Sequence, residues 1–92
     1  MNFAVIGLGS FGIKRAKSIK NSKLAKLACI NDVNSDNATK AEKILQVPNR
    51  EYNDIINDKN IDVVSVSTPN KFHKKIFLDS LNAGKHVFCE KP

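Results

Sequence analysis

The chain has 92 residues and contains no tryptophan, one tyrosine, two cysteines and two arginines. It also lacks any run near the roughly 18 consecutive apolar residues that cross a bilayer as a helix. Its first residues lack the basic flank and the cleavage site of a secretory signal. These absences predict a cytoplasmic location and no membrane partner. The 41% apolar content is enough for one hydrophobic core but not for two, so we expect a single domain over residues 1–92.

The excess of positive charge is made almost entirely of lysine. Fifteen basic residues against nine acidic ones give a net charge of +6, and thirteen of the fifteen are lysines scattered along the chain. Dispersed lysines are typical of a solvated surface, whereas a nucleic-acid footprint clusters on one face. We therefore expect no nucleic-acid partner, although the charge would attract an anionic ligand.

Short apolar runs alternate with segments of helical periodicity along the chain. The runs that predict β-strands occupy residues 3–6, 26–30, 61–66 and 86–89, with a weakly signalled strand at 50–52. The segments that predict helices are 10–20, a stretch from caps at 34–36 through Leu45, a short turn at 54–57, and a segment from Thr68 to Gly84. This alternation predicts an α/β fold of Rossmann type, with a doubly wound parallel sheet, strand order 3-2-1-4-5 and helices on both faces.

The two cysteines, Cys29 and Cys89, fall on the second and fifth predicted strands. Neither has a Cys or His neighbour at the spacing of a zinc or iron–sulfur site, so we expect no metal site. Three strand spacings of about 4.8 Å would separate them, which is too far for a disulfide. We expect both to be buried free thiols.

The turn after the first predicted strand carries the pattern G-x-G-x-x-G. It comprises Gly7, Leu8, Gly9, Ser10, Phe11 and Gly12. Because the pattern follows a buried strand and opens a helix, its first glycine can make a sharp turn and its second lets the backbone approach a pyrophosphate, while the third allows close packing of helix on strand. The helix N-terminus adds unpaired N–H groups and partial positive charge for the phosphates. The pattern predicts a dinucleotide site.

Asp32 lies twenty residues after Gly12, at the end of the second predicted strand. A carboxylate there can accept hydrogen bonds from both hydroxyls of an adenosine ribose. The alternative interpretation is a turn aspartate, because Asn34 and Asp36 follow it. The same charge would repel a 2′-phosphate and no arginine follows it closely, so we expect NAD as the cofactor and NADP as the less favoured one.

These motifs resemble the glucose-fructose oxidoreductase, inositol dehydrogenase and rhizopine-catabolism family (Gfo/Idh/MocA) over essentially all 92 residues. The resemblance rests on the glycine pattern and on two further blocks. The blocks are Ile61-Asp62-Val63-Val64 leading into Ser67-Thr68-Pro69-Asn70 with His73, and Ala83-Gly84-Lys85-His86-Val87 leading into Glu90-Lys91-Pro92. The resemblance implies that Lys91 lies beside the nicotinamide and the substrate hydroxyl, and that Glu90 contacts the cofactor.

The same resemblance implies that Thr68, Pro69 and Asn70 line the cofactor cleft, with His73 in the same motif. Without it, the segment from Ser67 to Asn70 still follows the fourth predicted strand, beside the strand-order reversal where open α/β sheets bind ligands. Helix capping is compatible with that role. By themselves, however, His73 is more typical of a packing or capping histidine and Lys91 of a solvated side chain.

We therefore expect the cofactor-binding domain of an NAD-dependent oxidoreductase that moves hydride to or from a hydroxyl-bearing carbon of a sugar or polyol. The ammonium of Lys91 would hydrogen-bond a substrate oxygen and stabilise its developing charge. Members of the resembled family continue into a substrate domain, so we expect a fragment that binds cofactor without turnover and that self-associates or forms homo-oligomers. A naturally short relative that has lost catalysis is the alternative. The alternatives are a non-catalytic nucleotide-sensing or partner-binding module, and a nucleic-acid-binding protein, for which an aromatic platform is lacking.

Overall fold

The computed structural model describes residues 1–68 and 70–89. Within them, strands and helices alternate along the chain. The strands are β1 (Asn2–Ile6), β2 (Lys26–Asn31), β3 (Val63–Val66) and β4 (His86–Cys89). The helices are α1 (Ser10–Asn21), α2 (Ser35–Leu45), α3 (Tyr52–Asn57) and α4 (Asn70–Asn82). None of these described helices has the length and apolar content needed to cross a bilayer.

The described strands form one parallel sheet in the order β2-β1-β3-β4. β1 pairs with β2 on one side and with β3 on the other, and β4 continues the sheet beyond β3. Parallel sheets are covered by helices on both faces, which is why the central strands are continuous apolar runs. The prediction of a parallel α/β sheet of Rossmann type is confirmed.

The predicted order 3-2-1-4-5 is wrong in one respect, because the strand expected at residues 50–52 does not form. Beside β2 the chain makes a single parallel bridge between Ile30 and Asn49, and the amide of Arg50 donates to the carbonyl of Ile30 at 2.9 Å. α3 then begins at Tyr52. The segment is too short and polar to extend the sheet, and Tyr52 and the fully buried Ile55 instead enter the core one helical turn apart.

The hydrophobic core consists of one cluster on each face of the sheet. β1 contributes to both, because Ala4 and Ile6 belong to one cluster and Val5 to the other. The first cluster takes its buried helical members from α3 and α4: Ile55 and Ile76. The second takes them from α1 and α2: Ala16, Ile19, Ala41 and Leu45. Helices therefore cover both faces, as predicted.

The two cysteines lie on β2 and β4, with β1 and β3 between them, and both thiols are free. Cys29 is buried, and this burial raises its pKa. Cys89 is exposed, so the expectation of a buried thiol there is wrong. The reason is that no described strand pairs with the outer edge of β4. Among residues 1–68 and 70–89, no group of three His, Cys, Asp or Glu side chains could hold a metal ion.

A buried lysine fixes the connection from α4 to β4. Gly84 takes a φ of 78°, the left-handed value expected of a glycine that ends a helix. The next residue, Lys85, is 6% exposed, and its ammonium donates to the carbonyls of Asp58 at 2.6 Å and Ile61 at 2.9 Å. The loop between α3 and β3 is thereby tied to the start of β4.

Candidate functional site

A cleft of about 860 Å³ opens at the carboxyl ends of β1, β2 and β3. The direction of strand succession reverses between β1 and β3, and this is the position at which open α/β sheets bind ligands. The predicted cofactor residues that line the cleft are Gly7, Leu8, Gly9, Phe11, Asp32, Ser67, Thr68 and His73. The fold therefore brings together residues that lie more than sixty positions apart in the sequence.

Two of the motif glycines are required by close backbone packing. Gly7 has a φ of 98°, and a Cβ there would lie 2.7 Å from the carbonyl carbon of Ser67 and 2.8 Å from the amide nitrogen of Thr68. A Cβ on Gly12 would collide with the carbonyl oxygen of Gly7 and would lie 3.4 Å from the Cβ of Ser67. Glycine at these two positions lets the turn after β1, the first turn of α1 and the loop after β3 pack together.

Gly9 differs, because a Cβ placed there would meet nothing within 4 Å. Gly9 is the N-cap of α1, with a φ of −67° that any residue adopts, and it offers no side-chain cap. The first-turn amides of a helix have no partner inside the helix and carry partial positive charge. The open side of Gly9 thus leaves backbone accessible from the cleft, which is the cradle that a pyrophosphate requires.

Asp32 links this turn to the loop after β2. One carboxylate oxygen accepts a hydrogen bond from the amide of Leu8 at 2.8 Å, and the other accepts one from the amide of Asn34 at 2.8 Å. Asp32 is therefore a turn aspartate that also lines the cleft, and its contact with an adenosine ribose stays a prediction. A carboxylate can accept about four hydrogen bonds, which leaves Asp32 capacity for ribose hydroxyls.

Three polar atoms at the opposite wall have no hydrogen-bond partner among the described residues. They are the Oγ of Ser67, the Oγ1 of Thr68 and the Nε2 of His73, each buried from solvent. A buried polar group without a partner costs about 1–3 kcal/mol, so a site containing three of them fits a polar ligand that supplies donors and acceptors. His73 thus contributes to the cleft wall from α4.

Of the six remaining predicted site residues, five lie wholly or partly outside what the structure describes. Gly12 packs beneath the glycine turn. Ser10 and Asn70 begin α1 and α4, and their side chains lie outside the description. Pro69, Glu90 and Lys91 lie outside the described residues altogether. The expected cofactor and catalytic roles of these six residues, like those of the residues that line the cleft, stay predictions.

Sequence reasoning missed part of the cleft wall. Val33, 96% exposed, follows Asp32 directly, and Phe72, 42% exposed, lies one residue before His73. Their positions next to predicted site residues were a usable signal, because an exposed apolar side chain beside a ligand cleft has a surface to offer an aromatic ring. Tyr52 and Lys75 also line the cleft, and no local pattern in the sequence points to them.

Tyr52 and Lys75 meet on a shared carboxylate. The hydroxyl of Tyr52 donates to Asp79 at 2.6 Å, and the ammonium of Lys75 donates to the same oxygen at 2.7 Å while lying 4.7 Å from the Tyr52 ring centroid. Burial and, next, the bond to Asp79 raise the pKa of Tyr52, whereas the bonds from Lys75 and then Tyr52 lower the pKa of Asp79. This group joins α3 to α4 at one side of the cleft.

Comparison with known proteins agrees with the geometry. The sequence matches GFO_IDH_MocA, an oxidoreductase family with an NAD-binding Rossmann fold, over residues 1–92. It is 35% identical over 94 residues to the myo-inositol 2-dehydrogenase of Thermotoga maritima, a match that covers 100% of this chain and 28% of that protein. The resemblance stated from the motifs is therefore confirmed.

Solved structures agree at the level of the fold. The structure is similar to scyllo-inositol dehydrogenase from Lactobacillus casei with bound NAD(H) and scyllo-inositol, at a TM-score of 0.89 and 34% identity, covering 100% of this chain and 28% of that one. It is also similar to biliverdin reductase from Synechocystis sp. PCC 6803 in complex with biliverdin and NADP+, at a TM-score of 0.94 and 28% identity, covering 99% and 29%.

The chain spans less than a third of the length of the curated relatives it matches, with matched shares between 11% and 28%. The match to the family nevertheless runs along the entire chain. This chain belongs to the GFO_IDH_MocA oxidoreductase family, as its NAD-binding Rossmann domain.

Proposed function

We propose that this chain is the NAD-binding part of a dehydrogenase that transfers hydride between the nicotinamide and a hydroxyl-bearing carbon of a polyol or sugar. The observation that carries the proposal is the joint position of Gly9 and Asp32 in one cleft, with an open backbone for phosphates at one and a carboxylate for ribose hydroxyls at the other. The inositol dehydrogenases among the relatives support a polyol as the substrate class.

The charges around the cleft support NAD over NADP. Asp32 is placed to repel a 2′-phosphate. Among the described residues that line the cleft, Lys75 is the one lysine or arginine, and its ammonium is paired with Asp79. Arg50, which follows Asp32 in the chain, is paired with Asp58 at 2.7 Å. Because Lys75 and Arg50 are each paired with a carboxylate, neither is favoured to bind a 2′-phosphate.

Lys91 and Glu90 are proposed, on the family motif alone, to act at the nicotinamide end. Nicotinamide supplies the hydride chemistry when it is bound, and the lysine ammonium would hydrogen-bond the substrate oxygen on which charge develops. Substrate contacts would come from another part of a longer protein. We accordingly propose that residues 1–92 alone bind cofactor and turn nothing over.

Calorimetric titration of the 92-residue chain with NAD and with NADP tests this proposal. We expect saturable binding of NAD at up to millimolar concentration and weaker binding of NADP. Asp32→Ala should weaken NAD binding by about 1–3 kcal/mol, roughly a five- to 150-fold rise in Kd, because a charged hydrogen-bond acceptor is lost. Asp36→Ala, which removes an acidic side chain from α2, is the matched control and should bind NAD as the wild type does.

Two results would contradict the proposal. If neither cofactor shows saturable binding at millimolar concentration, the cleft is not a nicotinamide dinucleotide site. If Asp32→Ala and Asp36→Ala bind NAD equally well, Asp32 is not part of it. The variant Asp32→Asn removes the charge of Asp32 and nearly keeps its shape. It should lower the ratio of the Kd for NADP to the Kd for NAD, because the repulsion of the 2′-phosphate is removed.

A further inference from the structure

We propose that Arg15 is a positioning residue that clamps the edge strand β4 onto α1, and so holds in place the strand that precedes the residues proposed to act at the nicotinamide. The inference rests on the proposed cofactor function and deepens it. Its basis is a contact between α1 and β4, two elements that have few other contacts with each other. The guanidinium of Arg15 lies 4.6 Å from the centroid of the Phe88 ring.

The register of the sheet shows which face Phe88 occupies. Val5 pairs with Ser65, and Ser65 pairs with Phe88, so these three side chains lie in one row across the sheet. Val5 belongs to the core cluster that includes Ala16 of α1. Phe88 therefore lies on the face that α1 covers, beyond the small side chain of the buried Ser65.

On this face β4 is otherwise weakly attached. The described part of β4 contributes no member to the core cluster beneath α1, and its one core contact, Val87, lies on the face covered by α4. Phe88 is 47% exposed, and no described strand pairs with the outer edge of β4. The Arg15 side chain thus supplies a contact from α1 to a strand that the sheet holds from one side only.

The position of Arg15 gives this contact a functional consequence. Arg15 lies one turn after Gly12, on the helix whose first turn is proposed to hold the pyrophosphate. Phe88 lies three residues before Lys91, the residue proposed to act at the nicotinamide. A planar guanidinium stacks flat on an aromatic ring, which a lysine or a neutral chain of similar length does not reproduce. The clamp therefore ties β4, which precedes the residues proposed to act at the nicotinamide, to the helix proposed to hold the phosphates.

The experiment compares two probes, NAD and ADP, in calorimetric titrations of the 92-residue chain. ADP carries the pyrophosphate and the ribose that Gly9 and Asp32 are proposed to bind, but it lacks the nicotinamide half. We expect Arg15→Met to raise the Kd for NAD by about two- to fivefold, the factor that corresponds to one cation–π contact at an exposed site, and to leave the Kd for ADP unchanged. Phe88→Leu should give the same selective loss.

Lys17→Met is the matched control, because it removes an exposed positive charge from the same helix, two residues after Arg15. It should leave both affinities unchanged. Equal losses for NAD and ADP in Arg15→Met would overturn the clamp, since they would indicate a direct phosphate contact or a general loss of structure. An unchanged Kd for NAD in Arg15→Met would overturn it as well.

Amide hydrogen exchange of β4 provides a second, cofactor-free measurement. Arg15→Met should accelerate exchange at residues 86–89 relative to wild type while β1 stays protected, and Lys17→Met should not. Equal exchange in all three proteins would overturn the clamp. If the wild type binds neither NAD nor ADP, the proposed function fails, and the exchange rates still decide whether Arg15 holds β4.

Discussion

At the scale of single residues, the glycine turn contains positions that answer to different physical demands. Gly12 is fixed by the backbone of Gly7, which leaves no room for a methyl group. Gly9 has free space where a side chain would stand, and its backbone angles suit any residue. The fold therefore requires Gly12, whereas the need for glycine at position 9 is proposed to come from the ligand.

This difference predicts opposite outcomes for two alanine substitutions. Gly12→Ala should lower the free energy of unfolding by about 1–3 kcal/mol, because the new methyl group forces backbone apart. Gly9→Ala should change stability by less than about 1 kcal/mol, the scale of an N-cap effect, yet weaken NAD binding at least tenfold by occupying the phosphate approach. Urea denaturation and calorimetric titration measure the two quantities. Normal NAD affinity in Gly9→Ala would contradict the cradle.

The position of a residue in the cleft could be predicted from the sequence where the spacing of a motif and the chemistry of its side chains indicate the same site. The glycine turn and Asp32 could be placed in one cleft because a strand, a turn and a helix set their positions within about thirty residues. Tyr52 and Lys75 could not be, since their place at the cleft depends on how α3 and α4 pack over the sheet. The exposure of Val33 likewise follows from the loop that Asp32 organises rather than from any pattern.

At the scale of elements, most boundaries followed from the apolar periodicity, and the failure at residues 50–52 has a clear cause. The isolated bridge at Asn49 shows that the chain does reach the sheet edge beside β2. It leaves at once because Tyr52 and Ile55 bury more surface as a helix. Propensity depends only on the residues of the segment itself. Here the burial of Tyr52 and Ile55 against the adjacent core favours a helix over a strand.

The connection between α3 and α4 predicts a specific dependence of stability on pH. The pKa of Asp79 is lowered by its hydrogen bonds from Lys75 and Tyr52, so the unfolded chain binds a proton at a higher pH than the folded one. Stability from this carboxylate is fully present above its ordinary pKa of 3.8 and is lost as pH falls through the lowered value. Asp79→Asn should therefore flatten the fall in the free energy of unfolding below about pH 4.

Urea denaturation from pH 2.5 to 6 measures that slope. Asp36→Asn makes the same change of charge on α2 and should retain the slope of the wild type. Identical slopes for the wild type and Asp79→Asn would show that the Tyr52–Asp79–Lys75 group does not stabilise the fold. Because Tyr52 lines the cleft, the same variant also reports whether the joined helices support NAD binding.

At the scale of the whole molecule, the two edges of the sheet are covered to different extents. Its β2 side is partly covered by the chain around Asn49, whereas the outer edge of β4 has no described partner. Beside that edge, α4 exposes apolar side chains over 40–48% of their surface: Phe77, Leu78 and Leu81. An unpaired edge next to apolar surface favours association with another chain.

We therefore expect the 92-residue chain to self-associate as its concentration rises. Sedimentation velocity should show a sedimentation coefficient that increases with concentration, and the double change Leu78→Glu with Leu81→Glu should reduce the increase. Leu24→Glu is the control, because Leu24 is 90% exposed on the loop between α1 and β2, away from β4. A monodisperse monomer at every concentration would refute the expectation.

The unequal constraints on the glycine turn also bear on how such chains diverge. A descendant that no longer bound nucleotides would still have to keep Gly7 and Gly12, because the backbone around them leaves no room for a side chain and substitution of either would disrupt the fold. Substitution of Gly9 would not disrupt the fold in this way. An intact first and third glycine around a substituted second would then mark a lineage that has kept the architecture and abandoned the ligand.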